Sequence, residues 1–322
     1  MKKKLLTLFL TLSLSYAGIS GVAYFEYNDN FSLSRTYFTY KTDISDELSF
    51  KFQTDVGEID DVKEIGTCDD GISKTEEDCG ENNGFWSTTL SFSDNDNRWM
   101  GFLKKAQLDW EIDSNMKISM GMIGMNMLNV QEKTWGNRFL YKSAMDKYGF
   151  SATADLGFSI TRKHGNLTSS IMLSNGEGYK ESDVDKNNKT SIQLVYGKTK
   201  LQKNSDYNFG LVYSTVADEK VTGFFSGWMI EKIIAGLEYN TRDNGATTDD
   251  LISIYANYDI SEGLTAFVRT DNYDEDIDSI GGETDVTMLG FIWTPTQGLD
   301  ICPNMISTDD DDVYKMNFQF KF

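Results

Sequence analysis

The chain has 322 residues and a strongly acidic composition, with 50 Asp and Glu against 30 Lys and Arg and a formal net charge of −20. Such a chain repels a phosphate backbone, which excludes nucleic acid as an expected partner. Aromatic residues reach 13%, glycine occurs 27 times and proline only twice. This composition favours many strands and turns, because proline cannot donate to a strand ladder.

The first residues have the order of a secretory signal peptide. Three lysines follow Met1, an apolar stretch runs from Leu5 to Leu14, and small residues precede a cleavage point after Ala17. Basic, apolar and small regions in this order are typical of an export signal. We expect residues 1–17 to be removed and residues 18–322 to form one domain with a net charge of −23.

Alternation of polar and apolar residues predicts about sixteen strands, each with roughly the 10 residues that a tilted strand needs to cross a bilayer. In chain order they are centred at Val22–Tyr27, Ser34–Lys41, Leu48–Val56, Phe102–Glu111, Lys117–Ile123, Ala152–Thr161, Leu167–Ser174, Ser191–Thr199, Tyr207–Thr215, Val221–Met229, Ile233–Thr241, Leu251–Asp259, Leu264–Asn272, Val286–Trp293, Leu299–Met305 and Val313–Phe322.

Within a strand, the two sets of alternate residues differ in polarity. In Leu251–Asp259, for example, Ile252 and Ile254 alternate with Ser253 and Tyr255. Successive side chains of a strand point to opposite faces. One face therefore suits lipid and the other suits a water-filled interior, as in a transmembrane barrel.

The links between these strands alternate in length. Short polar links are Asp43–Glu47, Asp113–Asn115, Lys163–Asn166, Lys203–Asp206, Ser261–Gly263 and Thr294–Gly298; longer, more acidic links are Glu58–Asn97, Gly124–Tyr148, Asn175–Lys189, Asp243–Asp250, Asp274–Thr284 and Ser307–Asp312. Short periplasmic turns and long outer loops are typical of bacterial barrels with an even number of strands. The sequence thus predicts an all-β, antiparallel, up-and-down transmembrane β-barrel.

Three segments also resemble a known family. The hairpin Phe31–Gly57, the hairpin Phe102–Gly124 and the segment Trp135–Phe150 resemble outer-membrane porins and are most similar to the phosphate-selective O/P type. The aromatic last strand, which ends at Phe322, resembles the terminal assembly signal of Gram-negative-type barrels. The resemblance implies a homotrimeric porin in the outer membrane, in contact with lipid and lipopolysaccharide. The phosphate-selective members have a lysine-rich pore, whereas this chain is acidic.

The third outer link, Gly124–Tyr148, is too apolar for a loop in solvent. In sixteen-stranded porins the third loop folds into the barrel and narrows it, and we expect the same here. The charged residues predicted at the constriction are Glu132, Arg138, Lys142 and Asp146 from the loop, with Arg35, Lys51, Asp55, Lys105 and Asp109 from the facing wall. Opposed charges at a constriction filter solutes. A helix packed on the outer rim is the alternative.

The three cysteines divide into a pair and a single residue. Cys68 and Cys79 share the long second outer link, and export permits a disulfide between them. Metal binding by this pair among neighbouring aspartates is the weaker alternative. Cys302 is expected to be a free thiol.

Two acidic runs fall on predicted outer loops, at Asp274–Asp278 and at Asp309–Asp312. Clustered carboxylates suit Ca²⁺, so weakly bound divalent cations that bridge to lipopolysaccharide are one interpretation. Solvation of the charges is the other. No further cofactor is expected.

The function predicted from these features is a diffusion channel for small hydrophilic solutes and ions, with a mild cation preference because of its acidic composition. The first alternative is an anion or phosphate channel, if the basic constriction residues dominate the narrowest point. The second is a non-conducting surface anchor or adhesin. An enzyme is not expected, because the single histidine, His164, falls in a short periplasmic turn.

Overall fold

The computed structural model describes residues 17–58, 65–68, 86–89, 99–181, 187–277, 282–309 and 311–322. Its strands are β1 (Ala17–Asn28), β2 (Asn30–Asp43), β3 (Leu48–Glu58), β4 (Ile65–Cys68), β5 (Trp86–Thr89), β6 (Trp99–Asp113), β7 (Met116–Gly124), β8 (Ala154–His164), β9 (Leu167–Ser174), β10 (Lys189–Gly197), β11 (Tyr207–Val216), β12 (Glu219–Ile230), β13 (Ile233–Asp243), β14 (Thr248–Ser261), β15 (Leu264–Asp274), β16 (Glu283–Thr296), β17 (Leu299–Thr308) and β18 (Asp312–Lys321).

Sixteen of these strands form one closed antiparallel barrel, in which each strand pairs with its neighbours along the chain and β1 pairs with β18. The remaining two, β4 and β5, pair only with each other, within the connection from β3 to β6. Every predicted strand coincides with a barrel strand. The sixteen-stranded up-and-down barrel is therefore confirmed.

The alternation of polarity becomes an alternation of burial. On β14, Ser253 and Tyr255 are buried inside the barrel, whereas Ile252 and Ile254 are exposed on its outer surface. The exposed positions of the neighbouring strands repeat this pattern with Leu211, Phe224, Val268, Leu289 and Phe291. An exposed apolar surface of this extent marks a surface that meets an apolar partner.

The connections define two ends of the barrel. The short-turn end contains the links 44–47, 114–115, 165–166, 198–206, 231–232, 262–263 and 297–298, and the other end, the loop end, contains the remaining links, among them the three longest: 59–98, 125–153 and 175–188. Two connections at the loop end are nevertheless tight turns, which the alternation of lengths did not predict. One turns at Asp29 (φ 59°) and the other at residues 217–218, where Ala217 has φ 48°.

The longest fully described connection, loop L3 (residues 125–153), contains the helices α1 (Asn129–Trp135) and α2 (Ala144–Lys147). Its apolar side chains, among them Met127, Val130 and Phe150, form the core of the molecule together with inward-facing wall residues such as Val212 and Leu251. Neither helix, nor any other helix in the described parts of the chain, has the length and hydrophobicity needed to cross a membrane.

Several sequence predictions fall outside the described residues. Residues 1–16 of the predicted signal peptide are not described. The predicted Cys68–Cys79 disulfide is not described either, because Cys79 and the side chain of Cys68 lie outside the described part. Asp278 and Asp310 of the two acidic runs are outside as well. Cys302, in contrast, is described: it is a free cysteine, buried on β17.

Candidate functional site

Loop L3 lies inside the barrel, where it contacts inward-facing side chains of widely separated strands. Ser191 of β10 donates a hydrogen bond of 2.6 Å to Asn126. Asn137 donates one of 2.6 Å to Asn257 of β14, and Asn317 of β18 donates one of 3.4 Å to the carbonyl of Phe139. A segment that contacts β10, β14 and β18 must cross the interior.

Helix α1 packs closely on the wall formed by β12 to β15. The Trp135 ring is fully buried and meets the rings of Tyr255 and Phe267 edge-on, with centroid distances of 5.3 and 6.0 Å. A Cβ atom at Gly227 would lie only 2.8 Å from the Thr134 methyl group, so glycine is needed beneath the helix. Each large apolar side chain buried in this way contributes about 1.5–3 kcal/mol.

A buried arginine of the wall holds the middle of L3. Arg269 forms a two-pronged ion pair with Asp271, at 2.8 and 2.7 Å, and both side chains are excluded from solvent. Its third nitrogen donates a hydrogen bond of 2.8 Å to the carbonyl of Lys142. The guanidinium also lies over the rings of Trp135 and Tyr141, at 5.0 and 5.4 Å.

A second arginine holds the end of L3. Arg242 of β13 bonds Asp249 through Nε at 2.8 Å and donates a hydrogen bond of 3.1 Å to the carbonyl of Gly149. Its guanidinium lies 5.0 Å from the centre of the Phe150 ring. L3 is therefore fixed to one side of the barrel, and the space that remains lies between L3 and the opposite wall, formed by β1, β2, β3, β6 and β7.

Of the four charged residues of L3 that were predicted at the constriction, Glu132 and Asp146 meet at Arg138, whereas Lys142 does not. The Arg138 Nη1 atom lies 2.9 Å from Glu132 Oε2 and 2.6 Å from Asp146 Oδ2. Burial opposes the charge of Arg138, but Tyr37, Asp146 and Glu132 outweigh burial, so the pKa of the guanidinium lies well above its ordinary value. Arg138 is therefore a fixed positive charge on the free face of L3, which is the face that points away from β12 to β15 and toward β2.

Across from L3, the predicted wall residues Arg35 and Asp55 form an ion pair of 3.1 Å, and Lys104 lies 3.8 Å from the same carboxylate. Tyr37, on β2, lies between this ion pair and Arg138 of L3. Its hydroxyl oxygen is the common acceptor for Arg35 at 3.5 Å, Lys104 at 3.3 Å and Arg138 at 3.4 Å. Tyr37 thus joins L3 to the wall.

Sequence reasoning missed both Tyr37 and Lys104. Tyr37 lies two residues after Arg35 and shares its face of β2, a signal that was present in the alternation. Lys104 had no such signal, because alternation assigns it to the outer face beside the inward Lys105. The pairing shifts at this point, from Gln53 opposite Lys105 to Thr54 opposite Leu103. This irregularity leaves Lys104 as an extra residue that turns inward.

Two cavities lie on either side of the Arg138 cluster. The first, about 440 Å³, extends toward the short-turn end, and the second, about 520 Å³, extends toward the loop end. Both have Tyr24 and Arg138 in their linings. Among the described residues, the first cavity is lined by one acidic side chain, Glu132, and by six basic ones: Lys51, Lys104, Lys105, Lys117, Lys133 and Arg138. Burial and the neighbouring Lys117 lower the pKa of Lys133.

The remaining predicted site residues lie further from Arg138. Asp109 pairs with Lys117 at 3.7 Å, on the wall toward the short-turn end. Lys142 contributes to the lining of the second cavity, toward the loop end. The described parts of the chain contain no group of three His, Cys, Asp or Glu residues that could hold a metal ion. His164 is exposed at the end of β8.

The chain has the fold of known porins. No model of a protein family matches it, and no curated protein is similar to it in sequence. The structure of OmpF from Salmonella typhi in complex with daunomycin matches with a TM-score of 0.63 at 9% identity, over 95% of this chain and 97% of that chain. OmpT of Vibrio cholerae, in a trimer form, matches with a TM-score of 0.58 at 9% identity, over 96% and 99%.

A mutant of the Rh. blastica porin matches with a TM-score of 0.57 at 11% identity, over 96% of this chain and 100% of that chain. These identities show a shared fold and not a shared substrate. The resemblance to the phosphate-selective O/P type is not confirmed by them and stays a prediction. The chain is therefore a closed sixteen-stranded barrel of the porin fold.

Proposed function

We propose that the chain is an outer-membrane porin, a water-filled diffusion channel for small hydrophilic solutes, exported to a Gram-negative-type outer membrane by residues 1–17. The observation that carries the proposal is the polar, charge-lined pair of cavities inside a closed barrel whose outer surface is apolar. In this proposal the apolar surface meets lipid and the loop end faces outward, toward lipopolysaccharide.

The narrow part of the channel lies at Arg138 and Tyr37. There the free face of L3 comes within hydrogen-bonding distance of the β2 wall, and the linings of the two cavities share Arg138 and Tyr24. The constriction predicted from the sequence is proposed here with Arg35, Asp55, Glu132, Arg138 and Asp146 as its charged members. Lys51 and Lys105 line the wider cavity beside it.

The lining of the first cavity favours the anion alternative over the cation preference predicted from composition. Its six basic side chains face one carboxylate, whereas much of the negative charge of the chain lies on loops at the mouth. Fixed charges that line the water-filled interior act on every passing ion, whereas screening at about 0.1 M salt limits the charges at the mouth to a range of about 10 Å. We propose a preference for small anions.

The assembly is proposed to be a homotrimer. The support is the fold shared with OmpT of Vibrio cholerae, which was solved in a trimer form. Chemical crosslinking in the native membrane, read out by the mass of the product, tests this part of the proposal without any reference to conduction.

Single-channel recording in a planar bilayer with a salt gradient tests the channel itself. Discrete steps support the porin, and the sign of the reversal potential separates anion from cation preference. A difference in electrophoretic mobility between unheated and heated samples must first show that the protein is folded. A folded barrel that gives no conductance would overturn the proposal and leave a surface anchor or adhesin as the better interpretation.

A further inference from the structure

Residues 175–181, the first part of the link from β9 to β10 and called loop L4 here, also turn into the barrel. The first residues of L4 are held on the end of β8 by three backbone donors. The N–H of Asn175 bonds the carbonyl of Leu156 at 3.1 Å, and the N–H of Gly176 bonds the buried carboxylate of Asp155 at 2.7 Å. The N–H of Tyr179 bonds the carbonyl of Ala154 at 3.0 Å. These bonds fix the direction of L4 at its root.

Tyr179 then extends across two strands. β7 and β8 separate β9 from β6 in the barrel, yet the Tyr179 ring meets Phe102 of β6 edge-on with a centroid distance of 6.3 Å. Its hydroxyl donates a hydrogen bond to the carboxylate of Asp55 on β3. The ammonium of Lys104 lies 5.0 Å from the centre of the same ring. Tyr179 is thereby attached to the ion cluster of the wall.

L4 also passes close to the returning part of L3. Gly178 has φ +93°, and a Cβ atom there would lie 2.6 Å from the Cβ of Ala152. Both the positive φ and the close contact with Ala152 therefore exclude a side chain at this position. Between the two loops lies a cavity of about 210 Å³, lined by Tyr179 and Glu181 on L4, Asp146 and Thr153 on L3, and Arg35 on the wall.

We propose that L4 is a second wall of the constriction and that Tyr179 sets the size limit of the channel, an inference that rests on the porin function proposed above. L3 leaves free space along β1, β2, β3, β6 and β7, and the Tyr179 ring lies at the loop-end side of this space, against β6. A solute entering there passes between Tyr179 and the free face of L3, so the bulk of this ring limits what can enter.

The test uses uncharged probes, so that selectivity for charge plays no part. Single-channel conductance and the swelling of liposomes in a graded series of neutral sugars are measured for the full-length protein and for Tyr179→Ala, Tyr179→Phe, Gly178→Ala and Tyr213→Ala. Tyr213 is the matched control, because the same atoms are removed from the exposed outer face of β11.

We expect Tyr179→Ala to raise conductance by at least about 1.5-fold and to admit larger sugars, since it removes a ring from the loop-end entrance to the constriction. Gly178→Ala should do the same by displacing L4 from Ala152. Tyr179→Phe retains the ring and should keep the parent size limit, as should Tyr213→Ala. Should Tyr179→Ala fail to fold, Tyr179→Leu replaces it.

Parent conductance and size limit in folded Tyr179→Ala and Gly178→Ala would overturn the role of L4 while leaving the porin intact. An equal rise in Tyr213→Ala would also overturn it, because the effect would then arise from a loosened barrel. A folded parent protein without conductance would remove the porin proposal itself, and this inference with it.

Discussion

The guanidinium of Arg269 on β15 donates a hydrogen bond of 2.8 Å to the backbone carbonyl of Lys142 and so joins the barrel wall to loop L3. Arg269→Ala would remove this bond and leave Asp271 as a buried carboxylate without its partner. Loss of one member of a buried pair costs about 3–5 kcal/mol. We expect the urea concentration at the midpoint of unfolding to be lower, and the change in electrophoretic mobility on unfolding measures it.

The double variant Arg269→Met, Asp271→Leu is the control for this prediction. It removes both charges and keeps apolar volume, a change that is often close to neutral for stability. We expect it to be more stable than Arg269→Ala. Equal loss in the two variants would show that the hydrogen bond to Lys142, and not the ion pair, dominates.

The hydroxyl of Tyr37 couples the loop to the wall. Tyr37→Phe removes the acceptor shared by Arg35, Lys104 and Arg138 but keeps the ring, and a hydrogen bond to a charged group contributes about 1.5–3 kcal/mol. A double-mutant cycle with Arg138→Gln should give a coupling energy of about 0.5–3 kcal/mol, measured from unfolding in urea. Additive effects of the two substitutions would contradict a direct contact.

The basic cavity predicts a change of selectivity when its charges are removed. In Lys51→Gln, Lys105→Gln, Lys133→Gln, three of six positive charges are lost while Glu132 remains. The ratio of anion to cation permeability should fall by at least about 2-fold, and the effect should fade at 1 M salt, where the Debye length is about 3 Å. Reversal potentials in a salt gradient measure both changes.

A triple variant at three lysines outside the cavity is the control for this prediction. Lys203, Lys220 and Lys232 are exposed and do not line either cavity at the constriction. Their replacement by Gln removes the same total charge and should leave the reversal potential within error of the parent value. A similar shift in both triple variants would assign selectivity to total charge and not to the cavity.

A turn at the short-turn end predicts a pH-dependent contribution to stability. The backbone N–H groups of Gln202 and Lys203 bond Asp206, each at 2.9 Å, and lower the pKa of its carboxyl below the ordinary 3.8. A carboxyl with a lowered folded pKa stabilises the fold above about pH 3.8 and loses this effect as the pH falls through the folded pKa.

We therefore expect Asp206→Ala to be less stable than the parent protein at pH 7 and to approach it in stability as the pH falls from 3.8 through the folded pKa of Asp206. Urea midpoints of the two proteins from pH 7 down through this range measure this difference. A gap that stays constant over the whole range would show that the turn does not depend on the charge of Asp206.

The sequence by itself determined the barrel. Alternation of polarity identified the sixteen strands and their two faces, because a strand exposes every second residue to the same environment over its whole length. The clustering of Glu132, Arg138 and Asp146 could also be predicted from the sequence, since these residues lie close together along one connection. Tyr37 shared a face with Arg35 and was accessible to the same reasoning.

Only the tertiary structure decided the rest. The inward turn of Lys104 depends on a shift in pairing between β3 and β6, and pairing is a relation between segments that neither reveals alone. The basic lining of the first cavity, in an acidic chain, depends on which charges the closed barrel places along that cavity, and overall composition does not contain this information. The contact of Tyr179 with Asp55 joins residues 124 positions apart, and it exists because L4 reaches across β7 and β8 to β6 and β3.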